Sequence, residues 1–165
     1  MAKKKAVITN AMRILTAQKI PFESVEYEAE EVGENFGVHI AELTGIPFEM
    51  SFKTLVAKGT EHIVVCIPVD CEVDLKKLAK ASGNKKVELI AVKDLLPLTG
   101  YIRGGVSPIG MKKKFTTYIH ESCRDFDKMA VSGGVCGVTL LMSPDNLLKA
   151  TDGILCDIIK EQGEI

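Results

Sequence analysis

No apolar run in these 165 residues approaches the roughly 18 needed to cross a bilayer, so the sequence offers no membrane-spanning helix. The basic start, Met1-Ala-Lys-Lys-Lys-Ala, is followed by Thr9, Asn10, Arg13 and Gln18, which interrupt any signal-peptide core. The chain is therefore expected to stay in the cytoplasm and to have no membrane partner. Neither charge sign prevails: the formal net charge is −1, so no global field draws the protein onto nucleic acid. Internal repeats and low-complexity linkers are missing. The five cysteines, Cys66, Cys71, Cys123, Cys136 and Cys156, are widely spaced and form no CxxC. Neither a zinc knuckle nor a thioredoxin-type redox pair is indicated, and in a cytosolic chain they read as small buried hydrophobes.

The common catalytic signatures are absent too. There is no GxGxxG and no P-loop, which disfavours a nucleotide-hydrolysing enzyme. There is no HExxH and no GxSxG, and His39, His62 and His120 are scattered. No metal and no cofactor are expected.

What remains is an ordinary globular composition, 46% hydrophobic and 26% charged. It suits one domain over residues 1–165, long enough to bury roughly 70% of the surface its unfolded form exposes. Charge is locally uneven. Lys76, Lys77, Lys80, Lys85 and Lys86 crowd one segment, and Lys112, Lys113 and Lys114 form another. These lysines are either a solvated face or a phosphate-binding one.

Helical spacing of Val7, Ala11, Ile14 and Leu15 predicts a helix over Lys3–Gln18 that Pro21 ends. A strand follows at Phe22–Tyr27. Asn35 can cap a helix over Phe36–Thr44, with Gly45 closing it. Strands at Phe52–Ala57 and His62–Val69 flank Lys58-Gly59-Thr60-Glu61, a hairpin signal. A basic helix over Leu75–Ala81 closes near Gly83. A strand at Val87–Ile90 and a helical turn at Val92–Leu96 precede Pro97. Further strands are predicted at Tyr101–Arg103, Phe115–His120, Lys128–Val131 and Val138–Met142. Ser143 is placed to cap a last helix with Pro144 at its first position. Helices bracketing mostly antiparallel strands indicate an α+β domain with a curled or barrel-like sheet.

Three segments could carry chemistry. In Phe52-Lys53-Thr54-Leu55-Val56, alternation puts Lys53 on one face with Leu55 and Ala57, opposite Phe52, Thr54 and Val56. Both faces are apolar, so a lysine here must either snorkel to an edge or point into a cleft as a fixed cation. Gly104-Gly105-Val106-Ser107-Pro108-Ile109-Gly110 and Ser132-Gly133-Gly134-Val135-Cys136-Gly137 are either tight turns or loops whose backbone N–H groups approach a ligand.

Together with Asp74-Leu75-Lys76-Lys77-Leu78-Ala79-Lys80, Lys85-Lys86-Val87 and Thr99-Gly100-Tyr101, these segments resemble, in order, the YbaK/EbsC family. Its members are freestanding relatives of the editing domain inserted in bacterial prolyl-tRNA synthetases. The resemblance runs from about Tyr27 to Ile159. It implies a mixed, mostly antiparallel sheet curled into a partly closed barrel with flanking helices. It implies a trans-editing aminoacyl-tRNA deacylase acting on cysteinyl-tRNA(Pro), with tRNA(Cys) as a further substrate and prolyl-tRNA synthetase as a partner. Matching positions make Lys53, Thr54 and Gly104 the catalytic residues. Tyr27, Phe36, Gly105, Ser107, Pro108, Ser132, Gly133 and Thr139 fall at substrate-binding positions. The lysine clusters at 76, 77, 80, 85, 86 and 112–114 become phosphate contacts. One departure is plain: where many relatives carry acidic residues after the SGG loop, this sequence has Thr139 and Leu141.

With no evident protein nucleophile, the expected mechanism uses the substrate's thiol, which attacks its own ester while Lys53 and the glycine-loop N–H groups stabilise the oxyanion. Two alternatives stand beside it. One is hydrolysis of alanyl-tRNA(Pro) by a positioned water. The other is a tRNA- or synthetase-binding module without catalysis.

Overall fold

The computed structural model describes residues 8–28 and 36–161. Helix α1 spans Asn10–Ala17 and starts where Thr9 can cap it, its hydroxyl accepting from the Met12 N–H at 3.2 Å. It ends ahead of Pro21, since Lys19 takes a left-handed φ of 58°. The residues of the predicted helix before Ile8 lie outside the described residues, as does Asn35. Strand β1 is Glu23–Glu26 and α2 is Phe36–Thr44, closed by Gly45 at φ 74°. Strands β2, Phe52–Lys58, and β3, His62–Pro68, form the expected hairpin.

Helix α3, Leu75–Ser82, is capped by the Asp74 carboxylate, which accepts from the N–H groups of Lys76 and Lys77. Strand β4 is Glu88–Leu89. A 3-10 turn at Val92–Asp94 leads into α4, Leu95–Thr99. Pro97 does not stop this helix. It sits in the first turn, where an N–H would have no intrahelical partner. The last elements are β5 (Thr116–His120), β6 (Met129–Ser132), β7 (Val138–Met142), α5 (Pro144–Thr151) and β8 (Ile154–Cys156). Ser143 caps α5 by accepting from the Asn146 N–H at 3.1 Å.

The α+β class and the mixed, mostly antiparallel pairing hold, but the partly closed barrel does not. The strands form two sheets, ordered β1-β7-β6 and β4-β2-β3-β5-β8. Within the second, β3-β5 and β5-β8 are parallel and the other pairs antiparallel. Among the described residues, the two sheets are bridged at Ser51 and Ala130, in parallel. Closure fails because the outer edge of β2 is shared: Ser51 bridges to β6 at one end, while Ala57 and Lys58 pair with β4 at the other. Between them, Lys53 to Leu55 have no strand partner on that edge among the described residues. Two expected strand features also change. Tyr101–Arg103 is a loop, its geometry set by the Tyr101 hydroxyl donating to the Ile109 carbonyl, and the short β8 was not anticipated.

Two apolar clusters flank the β2–β3 hairpin. Phe52 and Cys66 pack with Leu15, Met129, Leu140 and Leu147. Leu55, Ala57, Ile63, Val65 and Ile67 pack on the other side with Leu78 and Ile158. The hairpin is therefore covered on both faces, as its sequence predicts. Among the described residues, no helix is long and apolar enough to cross a membrane.

Candidate active site

A cavity of about 430 Å³ opens where the edge of β2 is unpaired. The five-stranded sheet contributes Lys53, Thr54 and Leu55 to its wall, and the three-stranded sheet contributes Val131, Ser132 and Thr139. Helix α2 supplies Phe36, Gly37 and Ile40, and the loop after α4 supplies Arg103 and Gly104. Gly37 lets α2 lie close over Val69, just after β3, and over the start of β2. A Cβ there would meet Val69 Cγ1 at 2.8 Å and approach Lys53 Cβ at 4.0 Å.

Lys53 is half-buried, and burial lowers its pKa below the ordinary lysine range. Cys71, Glu72 and Asp70 oppose that shift without cancelling it. It has no ion-pair partner among the described residues. Lys53 is thus a partly desolvated lysine on the unpaired edge of β2 that lines the cavity. Thr54 borders the same cavity, but its hydroxyl lies 3.7 Å from the buried Cys66 Sγ. The cavity wall carries two charged side chains among the described residues, Lys53 and Arg103, and no carboxylate.

Of the expected site residues, Lys53, Thr54, Gly104, Phe36, Ser132 and Thr139 come together around the cavity. Tyr27, Gly105, Ser107, Pro108 and Gly133 stand outside its wall. Ser107 is fully buried, its hydroxyl accepting from the Ile109 N–H, which makes it the pivot of a buried turn. Gly105 abuts the other glycine loop so closely that an added Cβ would sit 2.9 Å from Val135 Cα. Tyr27 is tied to that second loop by its N–H to the Gly137 carbonyl, 2.9 Å, and burial raises its phenol pKa.

The glycine loops offer fewer free donors than their sequence suggests. The N–H of Gly105 donates to Ile102 O, that of Gly133 to Val138 O, and that of Gly134 to Ser132 Oγ. Gly104, at φ 91°, is the loop glycine that reaches the cavity, and its N–H makes no hydrogen bond among the described residues. Arg103 escaped the sequence reading because its segment resembles a strand. Its adjacency to Gly104 was the available signal.

The lysine clusters divide. Lys77 pairs with Asp157 at 3.1 Å, Lys86 with Glu88 at 2.9 Å, and Lys114 with Asp152. Lys76, Lys80, Lys85, Lys112 and Lys113 are exposed and carry no ion pair among the described residues. A larger open groove, about 760 Å³, shares Leu89 and Ile90 with the cavity. Its walls include Lys86, already paired with Glu88, and none of Lys53, Thr54 and Gly104, which line the smaller cavity.

Three of the five thiols, Cys66, Cys123 and Cys156, are poorly suited to nucleophilic attack. Burial pushes Cys66 up to about 12 and Cys156 up to about 11, and raises Cys123, so these stay protonated. No cluster of His, Cys, Asp and Glu that could hold a metal occurs among the described residues.

A family model for the aminoacyl-tRNA editing domain matches residues 27–150. A protein of Enterococcus faecalis named "Putative Cys-tRNA(Pro)/Cys-tRNA(Cys) deacylase EbsC" is 43% identical over 172 residues, covering 98% of this chain and 100% of that protein. Proline--tRNA ligase 1 of Streptomyces avermitilis is 37% identical over 75 residues, 45% of this chain and 13% of the ligase. The crystal structure of the protein APE2540 superposes with a TM-score of 0.83 at 21% identity, over 92% of this chain and 100% of that one, a likeness of fold.

Proposed function

This chain belongs to the family of aminoacyl-tRNA editing domains, and on that premise we propose that it is a trans-editing deacylase that removes cysteine from mischarged cysteinyl-tRNA(Pro). The observation that carries the reading is Lys53, a half-buried lysine with no ion-pair partner among the described residues, facing a cavity whose described wall holds no carboxylate. Such a site favours a group that is or becomes negative. The ester carbonyl of an aminoacyl-tRNA develops that charge on attack.

In the proposed step the cysteinyl thiol loses its proton and its sulfur attacks the ester carbonyl carbon. A C–S bond forms and the tetrahedral oxyanion is held by the Lys53 ammonium and the Gly104 N–H. The C–O bond to the terminal ribose then breaks, and the ribose oxygen takes up a proton. The products are free tRNA and a cyclic thioester that water opens to cysteine. Proline has no thiol, so correctly charged tRNA(Pro) escapes without exclusion by size. Thr139, buried beside Ser132 in the β6–β7 register, offers a hydroxyl where a charged contact is absent. The 43% identity to the Enterococcus protein supports the substrate assignment, and the stretch shared with a proline--tRNA ligase supports prolyl-tRNA synthetase as a partner.

The test is single-turnover deacylation with purified protein, comparing cysteinyl-, alanyl- and prolyl-tRNA(Pro). Rapid loss of cysteine with prolyl-tRNA spared is expected. Preferential cleavage of the alanyl ester would assign the site to water-dependent hydrolysis. Binding without turnover on any of the three would make the chain a non-catalytic module.

The unpaired lysines give a second expectation, for tRNA binding. Replacing Lys76, Lys80 and Lys85 together with alanine should weaken binding and flatten the slope of log affinity against log salt by roughly 0.7–0.9 for each phosphate no longer neutralised. A salt titration of tRNA affinity checks this. The same slope in the triple variant would leave these residues as solvated surface.

A further inference from the structure

Lys53 is not alone in its cavity: Arg103 is the second charged side chain in the described wall, and the proposed cleavage step makes no use of it. Its backbone setting is specific. Ile102 to Gly105 form a four-residue turn closed by the Gly105 N–H donating to the Ile102 carbonyl at 2.9 Å. Arg103 and Gly104 are its central residues, and Gly104 has the positive φ, 91°, that a type II turn requires at its third position. The turn is braced from behind, because Gly105 lies against the Val135 backbone with no room for a Cβ.

The guanidinium on this braced turn makes no ion pair among the described residues, whereas Arg124, also exposed, pairs with Asp145 at 3.2 Å. An exposed arginine without an ion pair, on a cavity whose described wall has no carboxylate, is free to take an anionic group of a ligand. Arginine is suited to phosphate oxygens, which it can meet with two parallel N–H donors. An ester on the 3′ end of a nucleic acid brings one such anion with it, the phosphate on the 5′ side of the same terminal nucleoside.

We propose that Arg103 forms a phosphate subsite at the cavity rim, binding the 5′-phosphate of the terminal nucleotide whose 3′-ester lies toward Lys53. The inference rests on the deacylase reading for its substrate, but it assigns a different contact. Arg103 grips the nucleotide and Lys53 meets the reacting carbonyl. The subsite sets affinity and register. It carries no base specificity, since a phosphate contact reads no sequence.

The experiment pairs a change in the ligand with a change in the protein. Binding of adenosine 5′-monophosphate and of adenosine is measured by calorimetry for the wild type, Arg103→Ala and Arg103→Lys. The wild type should bind the monophosphate at least about tenfold more tightly. Arg103→Ala should lose that preference while its affinity for adenosine is unchanged, and Arg103→Lys should retain part of it. In deacylation, Arg103→Ala should raise KM for cysteinyl-tRNA(Pro) with little change in kcat. Equal wild-type affinity for the two ligands, or equal weakening of both in Arg103→Ala, would overturn the subsite. If the wild type deacylates no aminoacyl-tRNA yet shows the Arg103-dependent preference, the subsite stands and the deacylase reading fails.

Discussion

Replacing Lys53 with alanine is expected to slow single-turnover deacylation of cysteinyl-tRNA(Pro) by roughly a hundred- to a thousandfold, the usual cost of removing one preorganised oxyanion donor. The fold should survive, because Phe52, Leu55 and Ala57 on the same strand keep their packing. Lys53→Arg should restore little, as a planar guanidinium does not replace a compact ammonium. The lowered pKa adds a signature in pH. Its main cause is burial, which disfavours the charged form. Activity that depends on the ammonium should fall as pH rises through this lowered value. Stability should move the other way. Between the folded and unfolded pKa values the unfolded chain binds the extra proton, so stability rises with pH there, and the penalty is full below that window. Lys53→Met should remove this slope and be no less stable than the wild type at neutral pH. Rate and thermal-melting profiles of the variants against pH check both halves. A folded Lys53→Ala protein with wild-type turnover would remove the centre of the mechanism.

An S-methylcysteinyl ester on tRNA(Pro) is expected to resist cleavage, losing about a thousandfold or more relative to the cysteinyl ester. Methylation lengthens the side chain by one carbon, keeps its apolar character and deletes the nucleophile. Intramolecular attack can gain about 7–11 kcal/mol over a bimolecular route, and a thousandfold loss corresponds to about 4 kcal/mol, well inside that range. The measurement is single-turnover release under conditions where cysteinyl-tRNA(Pro) is cleared. Comparable rates for the two esters would show that water, not the substrate thiol, attacks the carbonyl. The raised pKa values of Cys66, Cys123 and Cys156 point the same way, since these protein thiols are poor substitutes for the missing nucleophile.

Residues with a local cause were legible in the sequence. The β2–β3 hairpin, α3 and the Ser143 cap of α5 follow from alternation, a turn and a capping side chain, and the structure has each of them. Lys53 was conspicuous for the same reason, a lone cation in a segment apolar on both faces. Features with a distant cause were not legible. Tyr101-Ile102-Arg103 has the composition of a strand, but the Tyr101 hydroxyl reaches Ile109 and bends the segment into a loop. That bend puts Arg103 on the cavity. Strand β8 is three residues long, too short for a pattern, and exists because β5 offers a parallel edge. The glycine loops advertised backbone donors, but partners within the loops occupy the N–H groups of Gly105, Gly133 and Gly134. The barrel was expected both from the strand pattern and from the resemblance, and neither carried the divided outer edge of β2, where the strands do not close.

That divided edge has a consequence for how selectivity can evolve. In the proposed reaction the cation assigned to the carbonyl, Lys53, and the hydroxyl-bearing part of the cavity wall, Ser132 and Thr139, belong to different sheets, whose strands β2 and β6 bridge at Ser51 and Ala130. Substitutions at Ser132 or Thr139 would reshape the cavity from the β6–β7 ladder, which is not the β2–β3 ladder that carries Lys53. On the proposed mechanism, a lineage could exchange one amino acid for another as its target by altering the three-stranded wall, while the chemistry stays on the hairpin across the seam.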